Sequence, residues 1–160
     1  MKASDLMKKL EAAPEYQEMQ KRKALDLKER EDVLAEDERS LIEELSSIGY
    51  EVESVWDFVN NNNRHEFLRK FNGSYAGAYP ILVKHLNIDH HPRIREGIIR
   101  ALTEKDANEV ASESLLAEFY KEQDLNLKWV FAIALRTVLT RSQKAKHPEY
   151  KEVYNGKGQP

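Results

Sequence analysis

Apolar positions follow different rules in different parts of the chain. Residues 4–12 have the pattern of a short helix, broken near Pro14. From residue 15 to 48 no glycine or proline interrupts a run of Ala, Leu, Glu, Lys and Arg, and Leu27, Leu34, Leu41 and Ile48 recur every seven residues. These are strong helix formers, so the run predicts one long amphipathic helix with Gly49 as its C-cap. Glu31 and Glu38, and Arg30, Asp37 and Glu44, occupy the companion positions, so the second seam of a true coiled coil is missing. The single stripe has two uses: it lies on the body of the protein, or it makes a self-associating or partner-binding arm.

Residues 50–73 carry two short clusters. Val55, Trp56, Phe58 and Val59 predict a short helix ended by the tract Asn60–Asn63, where asparagine favours turns and caps. Phe67, Leu68 and Phe71 predict another, ended near Asn72-Gly73. The clearest periodicity lies between 75 and 140. Pro80 suits a helix first turn, and Ile81, Leu82, Val83 and Leu86 follow it. A polar turn, residues 87–92, then leads into Arg93–Leu102, with Ile94, Ile98, Ala101 and Leu102 on one helical face. Leu115, Leu116 and Phe119, the turn Gln123–Asn126 and the helix Leu127–Leu139 repeat the unit. Ile94, Arg95, Ile98, Ala101 and Leu102 each find a like residue 33 positions on, at Leu127, Lys128, Phe131, Ala134 and Leu135. A helix pair of this length buries its apolar face by stacking on a neighbour.

The pattern of Pro80-Ile81-Leu82, Asp89, Ile94-Arg95 and Ala101-Leu102 resembles a HEAT repeat, and the second copy keeps Asp124 and Ala134-Leu135 but has Lys128 in place of arginine and no proline. The opening Met1–Asp32, with Asp5-Leu6-Met7 and Pro14-Glu15-Tyr16, is similar to that of small bacterial HEAT-repeat proteins. The expected fold is therefore all-α: a short, right-handed α-solenoid of HEAT-like helix pairs preceded by a long charged helix. The expected organisation is a helical arm over 1–50, a repeat domain over 51–140 and a partly disordered tail over 141–160. The resemblance implies binding rather than catalysis, since some helical-repeat proteins of this size are immunity or adaptor proteins.

Composition narrows the chemistry. Six glycines and five prolines in 160 residues disfavour a strand-and-turn fold, and the absence of cysteine excludes disulfides and thiolate metal sites. No apolar run is long enough to span a membrane, and Met1–Glu11 lacks the unbroken apolar stretch of a secretory signal, which predicts the cytoplasm. Residues 1–50 carry 9 basic and 13 acidic side chains, a net charge of −4, and the remainder has a net charge of +1. An acidic arm and a near-neutral body argue against nucleic acid as partner. His85, His90 and His91 around Asp89 do not have the spacing of a metal site. They are expected in a solvated turn with Asp89 as the helix cap. No nucleophile elbow or phosphate loop is present, so neither a catalytic residue nor a cofactor is expected. A HEAT-like DNA glycosylase, with Trp129 as aromatic and Arg93, Arg95 and Arg100 as basic stripe, is the remote enzymatic alternative.

The helix Leu127–Leu139 is apolar nearly all round and must be covered on every side. Its face with Trp129 and Ile133 takes its cover from the N-terminal helix, from the tail around Tyr150, Val153 and Tyr154, or from a partner. Second helices of stacked pairs commonly line a concave surface. The 33-residue offset sets Glu96 beside Trp129, Arg100 beside Ile133 and Thr103 beside Arg136. Glu96, Arg100, Trp129, Ile133 and Arg136 are thus the expected binding face for another protein, a tryptophan anchor among charges. The expected role is an immunity or inhibitor protein that masks a toxin, with a general adaptor or scaffold as alternative.

Overall fold

The computed structural model describes residues 2–61 and 73–157. Its regular elements are all helical, with no strand among the described residues. The expected helix around Phe67–Phe71 and the end of the asparagine tract lie outside the described residues. The chain divides into two compact units, Met1–Glu36 and Asp37–Pro160.

The first unit contains α1 (Ala3–Ala12) and the opening of α2 (Pro14–Ser47). Extended Ala13 separates them, because the residue before a proline avoids the helical region. Leu6, Met7 and Leu10 of α1 are each about half exposed, and Leu25 and Leu27 of α2 somewhat more. The division falls inside α2 rather than after Gly49. Leu41 and Leu45 are fully buried within the second unit, whereas Ile48 is exposed, so the seven-residue stripe does not keep one environment along its length. At Gly49 (φ +98°) the chain turns back, with Tyr50 N–H donating to Leu45 O at 3.0 Å and Gly49 N–H to Ser46 O at 3.0 Å. This pair of bonds makes a Schellman end, which needs the left-handed backbone that glycine adopts freely.

In the second unit α3 (Trp56–Val59) is followed by α4 (Tyr79–Leu86), α5 (Pro92–Ala101), α6 (Asn108–Lys121) and α7 (Leu125–Val138). Helix α4 packs antiparallel-neighbour fashion with α5 and α6 with α7, while α4 also meets α6 and α5 meets α7. The offset seen in the sequence has a structural meaning: Ile94, Ile98, Ala101 and Leu102 are buried, and so are Leu127, Phe131, Ala134 and Leu135. Arg95 and Lys128 correspond as well. The Arg95 guanidinium lies 5.4 Å from the Phe131 ring centroid and the Lys128 ammonium 5.0 Å from that of Phe119. Arg95 also bonds Leu86 O at 2.8 Å, satisfying a carbonyl at the end of α4, and pairs with Glu118 at 2.9 Å.

Asp124 caps α7 by accepting from Asn126 and Leu127 N–H. The matching role at α5 belongs not to Asp89 but to His91, whose Nδ1 accepts from Arg93 N–H at 3.1 Å. The side chain one position before Pro92 reaches the free N–H groups of the first turn, and Asp89 starts two residues too early. Beyond α7, Thr140 and Gln143 form a capping box on α8 (Arg141–Lys146). Tyr150 of α9 (Tyr150–Glu152) is buried, and Val153–Lys157 makes a wide helical turn against α7. No helix among the described residues is long and apolar enough to cross a membrane.

Candidate protein-binding face

Helices α5 and α7 lie side by side, and the five residues singled out in the sequence come from them. Glu96 and Arg100, one turn apart on α5, pair at 2.8 Å, and Arg93 reaches the other Glu96 oxygen at 3.6 Å. Arg93 is itself stacked 3.8 Å over the Trp56 ring, whose indole N–H donates to Arg93 O at 3.1 Å. Trp56 therefore orders the α5 end of the strip, a role the sequence reading did not assign to it. The close approach is made possible by Gly97: a Cβ there would lie 2.7 Å from Val55 Cγ1 and 2.8 Å from Trp56 Nε1.

On α7, Trp129 and Ile133 are half-buried and Arg136 is exposed. Ile133 lines two grooves. One, of about 180 Å³, holds Arg100, Thr103 and Glu104 with Phe58, Tyr75 and Val130. The other, of about 530 Å³, is lined by Trp129, Arg136, Thr137, Tyr154, Asn155 and Gly156. The fold thus brings Arg100 to Ile133 and Ile133 to Trp129 and Arg136, and Glu96 joins through its pair with Arg100. The tail supplies part of the cover for α7, with the Arg136 guanidinium 4.5 Å over the Tyr154 ring. The Trp129 indole N–H is buried with no hydrogen-bond partner among the described residues. An unmet donor of this kind costs about 1–3 kcal/mol and is uncommon in a settled interior.

A second constellation lies on α2 and α4. His85 and His90 are buried, not solvated, because His85 shares the inward stripe of α4 with Leu82 and Leu86. The His85 Nδ1 and His90 Nε2 atoms are 2.9 Å apart, His85 Nε2 is 3.0 Å from Glu44 Oε1, and His90 Nδ1 is 2.8 Å from Asp37 Oδ2. Lys84 also holds both Glu44 oxygens, at 2.9 and 3.0 Å. The hydrogen bonds from Lys84 and His85 pull the Glu44 carboxyl below its ordinary range, while burial pushes the His85 imidazole down. Nearby, Glu38 is also buried, accepting from Val55 N–H at 3.0 Å and Ser54 Oγ–H at 3.2 Å, and burial pushes its carboxyl up. The signal for all three carboxylates was present in the stripe of α2: Asp37, Glu38 and Glu44 flank Leu41 and Leu45 at helical spacing. Their partners, up to 54 residues away in sequence, were not visible.

Both ring nitrogens of His85 and His90 are engaged in these hydrogen bonds, and among the described residues no three His, Asp or Glu side chains are arranged to hold a metal ion. Compared with family models, curated proteins and solved structures, the chain matches none.

Proposed function

We propose that the strip Glu96, Arg100, Trp129, Ile133 and Arg136 is the docking face of a non-catalytic protein-binding module, and that α4–α7 are two HEAT-like pairs of a short solenoid. The observation that carries this reading is the position of Ile133. It joins two open grooves, one edged by Arg100 and the other by Trp129 and Arg136, in a single continuous strip. An apolar centre flanked by arginines and a tryptophan has the composition of a binding hot spot. The equivalent placement of Ile94 and Leu127, and of Arg95 and Lys128, supports the repeat reading. The role we assign is that of an immunity or inhibitor protein that masks a toxin by binding, acting in the cytoplasm, with a general adaptor as the second use of the same face. The pairing of Arg100 with Glu96 neutralises the charge a phosphate backbone would need, which favours protein over nucleic acid.

The experiment is site-specific photo-crosslinking in the native cell, with benzoylphenylalanine at Thr103 in the smaller groove and at the exposed Glu113 on α6 as control. A discrete protein adduct is expected from Thr103 alone, and it should vanish in the Arg100→Glu, Arg136→Glu variant while circular dichroism stays unchanged. Equal adducts from both positions, or an adduct indifferent to the charge reversal, would reject the face. Light scattering on dilution tests, separately, whether the N-terminal helix self-associates.

A further inference from the structure

The chain Glu44–His85–His90–Asp37 has three heavy-atom contacts, and each needs one proton between its partners. An ionised carboxylate accepts only. The two outer contacts therefore require N–H on His85 Nε2 and on His90 Nδ1. The central contact, nitrogen to nitrogen, requires a third. Two neutral imidazoles supply two protons between them, so a fully bonded chain with ionised ends carries one extra. With only two protons, a pair of lone pairs must face each other somewhere along the chain. Burial disfavours charge on His85, so the doubly protonated ring is His90, donating from Nε2 to His85 and from Nδ1 to Asp37.

We propose that this chain is a proton-dependent latch, holding the 37–47 segment of α2 to α4 and the loop after it by one proton more than two neutral histidines carry. The groups around it are compatible with that charge. Asp37 and Glu44 face it from α2, and Lys84 on α4 is held on the Glu44 carboxylate. Asp89 precedes His90 in the loop, and Arg95 on α5 is directed to Leu86 O, Glu118 and Glu122. His91 N–H adds a second donor to Asp37 Oδ2 at 3.1 Å.

The sign follows from counting protons. Above the free imidazole value of about 6.5, the unfolded chain binds two protons on these four groups and the folded chain three, so stability falls as pH rises. Well below that value, while the carboxylates stay ionised, the unfolded chain binds four, so stability falls in that direction too. The latch is therefore tightest near the free imidazole value. Above it, the unfolding constant rises by up to about tenfold per pH unit until the third proton leaves.

Nitrogen-15 NMR of the histidine rings in the full-length protein near neutral pH tests the count directly. Three slowly exchanging ring N–H protons shared by His85 and His90 are expected, and two would overturn the latch. Glu44→Gln supplies an independent arm. Its amide donates to His85 Nε2 and completes the chain with two protons, and Lys84 keeps the amide oxygen in place of the carboxylate oxygen at 3.0 Å. Between about pH 7 and 9 the variant's unfolding constant should lack the steep rise of the native chain. Identical slopes for the two proteins would also overturn the proposal. Should Glu44→Gln fail to fold, the proton count in the native protein decides alone.

Discussion

Gly97 is the tightest point between α3 and α5, and Gly97→Ala tests how those helices are seated. On local grounds alanine should help, since glycine in a helix interior is disfavoured by about 1 kcal/mol. Tertiary structure opposes it. The added Cβ would meet Val55 Cγ1 at 2.7 Å, Trp56 Nε1 at 2.8 Å and Trp56 Cε2 at 3.1 Å. Val55 is fully buried and has no free direction in which to move. Overpacking of this kind costs about 1–3 kcal/mol. Displacing Trp56 also loses its bond to Arg93 O, worth about 1 kcal/mol, and part of the Arg93 stack, worth about 0.5–1 kcal/mol. The balance is a net loss of roughly 1–3 kcal/mol, or a fall of roughly 2–12 °C in Tm for a chain of this size. Urea and thermal unfolding would measure it, with Trp56 emission read in a Trp129→Phe background to show whether the indole is displaced. A Val55→Ala partner should relieve part of the penalty, giving a coupling of about 1 kcal/mol. If Gly97→Ala proves more stable than the native chain, helix propensity wins and the close seating of α3 on α5 is wrong.

Other consequences are as direct. Glu38→Ala should cost about 1–3 kcal/mol by leaving the buried Val55 N–H unmet, whereas Glu38→Gln keeps an acceptor and should be neutral or stabilising. The same raised carboxyl means that Glu38 in the native chain stabilises the fold more as pH falls through its folded value, and loses that contribution as pH rises. Titrating the native chain against Glu38→Gln between about pH 4 and 7 should isolate it, and coincident curves would contradict it. Burial, with the nearby carboxylates of Glu104 and Asp106, pushes the Tyr75 and Tyr79 phenols far up. Ultraviolet titration should then show these two ionising only as the fold is lost in alkali, above the free phenol value of about 10. Trp129→Phe removes the unpaired indole N–H and should change stability by less than about 1 kcal/mol either way. A calorimetric loss well beyond that would show that the N–H is bonded after all.

Helix placement was legible because it depends on neighbours a few residues apart. The run 15–48 became Pro14–Ser47, and the three apolar stretches beginning at Pro80, Arg93 and Leu127 became Tyr79–Leu86, Pro92–Ala101 and Leu125–Val138. Capping chemistry is nearly as local, yet Asp89 and His91 show how far one or two residues matter: only the second sits where its side chain meets a free N–H. The candidate face was legible in part. The 33-residue offset correctly paired the buried positions of α5 and α7, but the segment lying against Trp129, the tail with Tyr154, comes from another part of the chain.

Buried polar groups were the least legible. In the sequence, Asp37, Glu38 and Glu44 look like the outer surface of a charged helix, and His85 and His90 like a wet turn. Each has its ordinary tendency to stay in water, and local pattern can express only that tendency. Whether a carboxylate or imidazole leaves water depends on whether a partner waits at hydrogen-bond distance, and here the partners lie between 5 and 54 residues away. Gly97 belongs to the same class, because its neighbours Val55 and Trp56 are remote in sequence and its missing side chain counts only once they are packed against it. Periodicity, being a property of adjacent residues, determined where the helices are. Only the tertiary structure decided which of their polar atoms are paired inside, since that is settled by contacts that chain order does not encode locally.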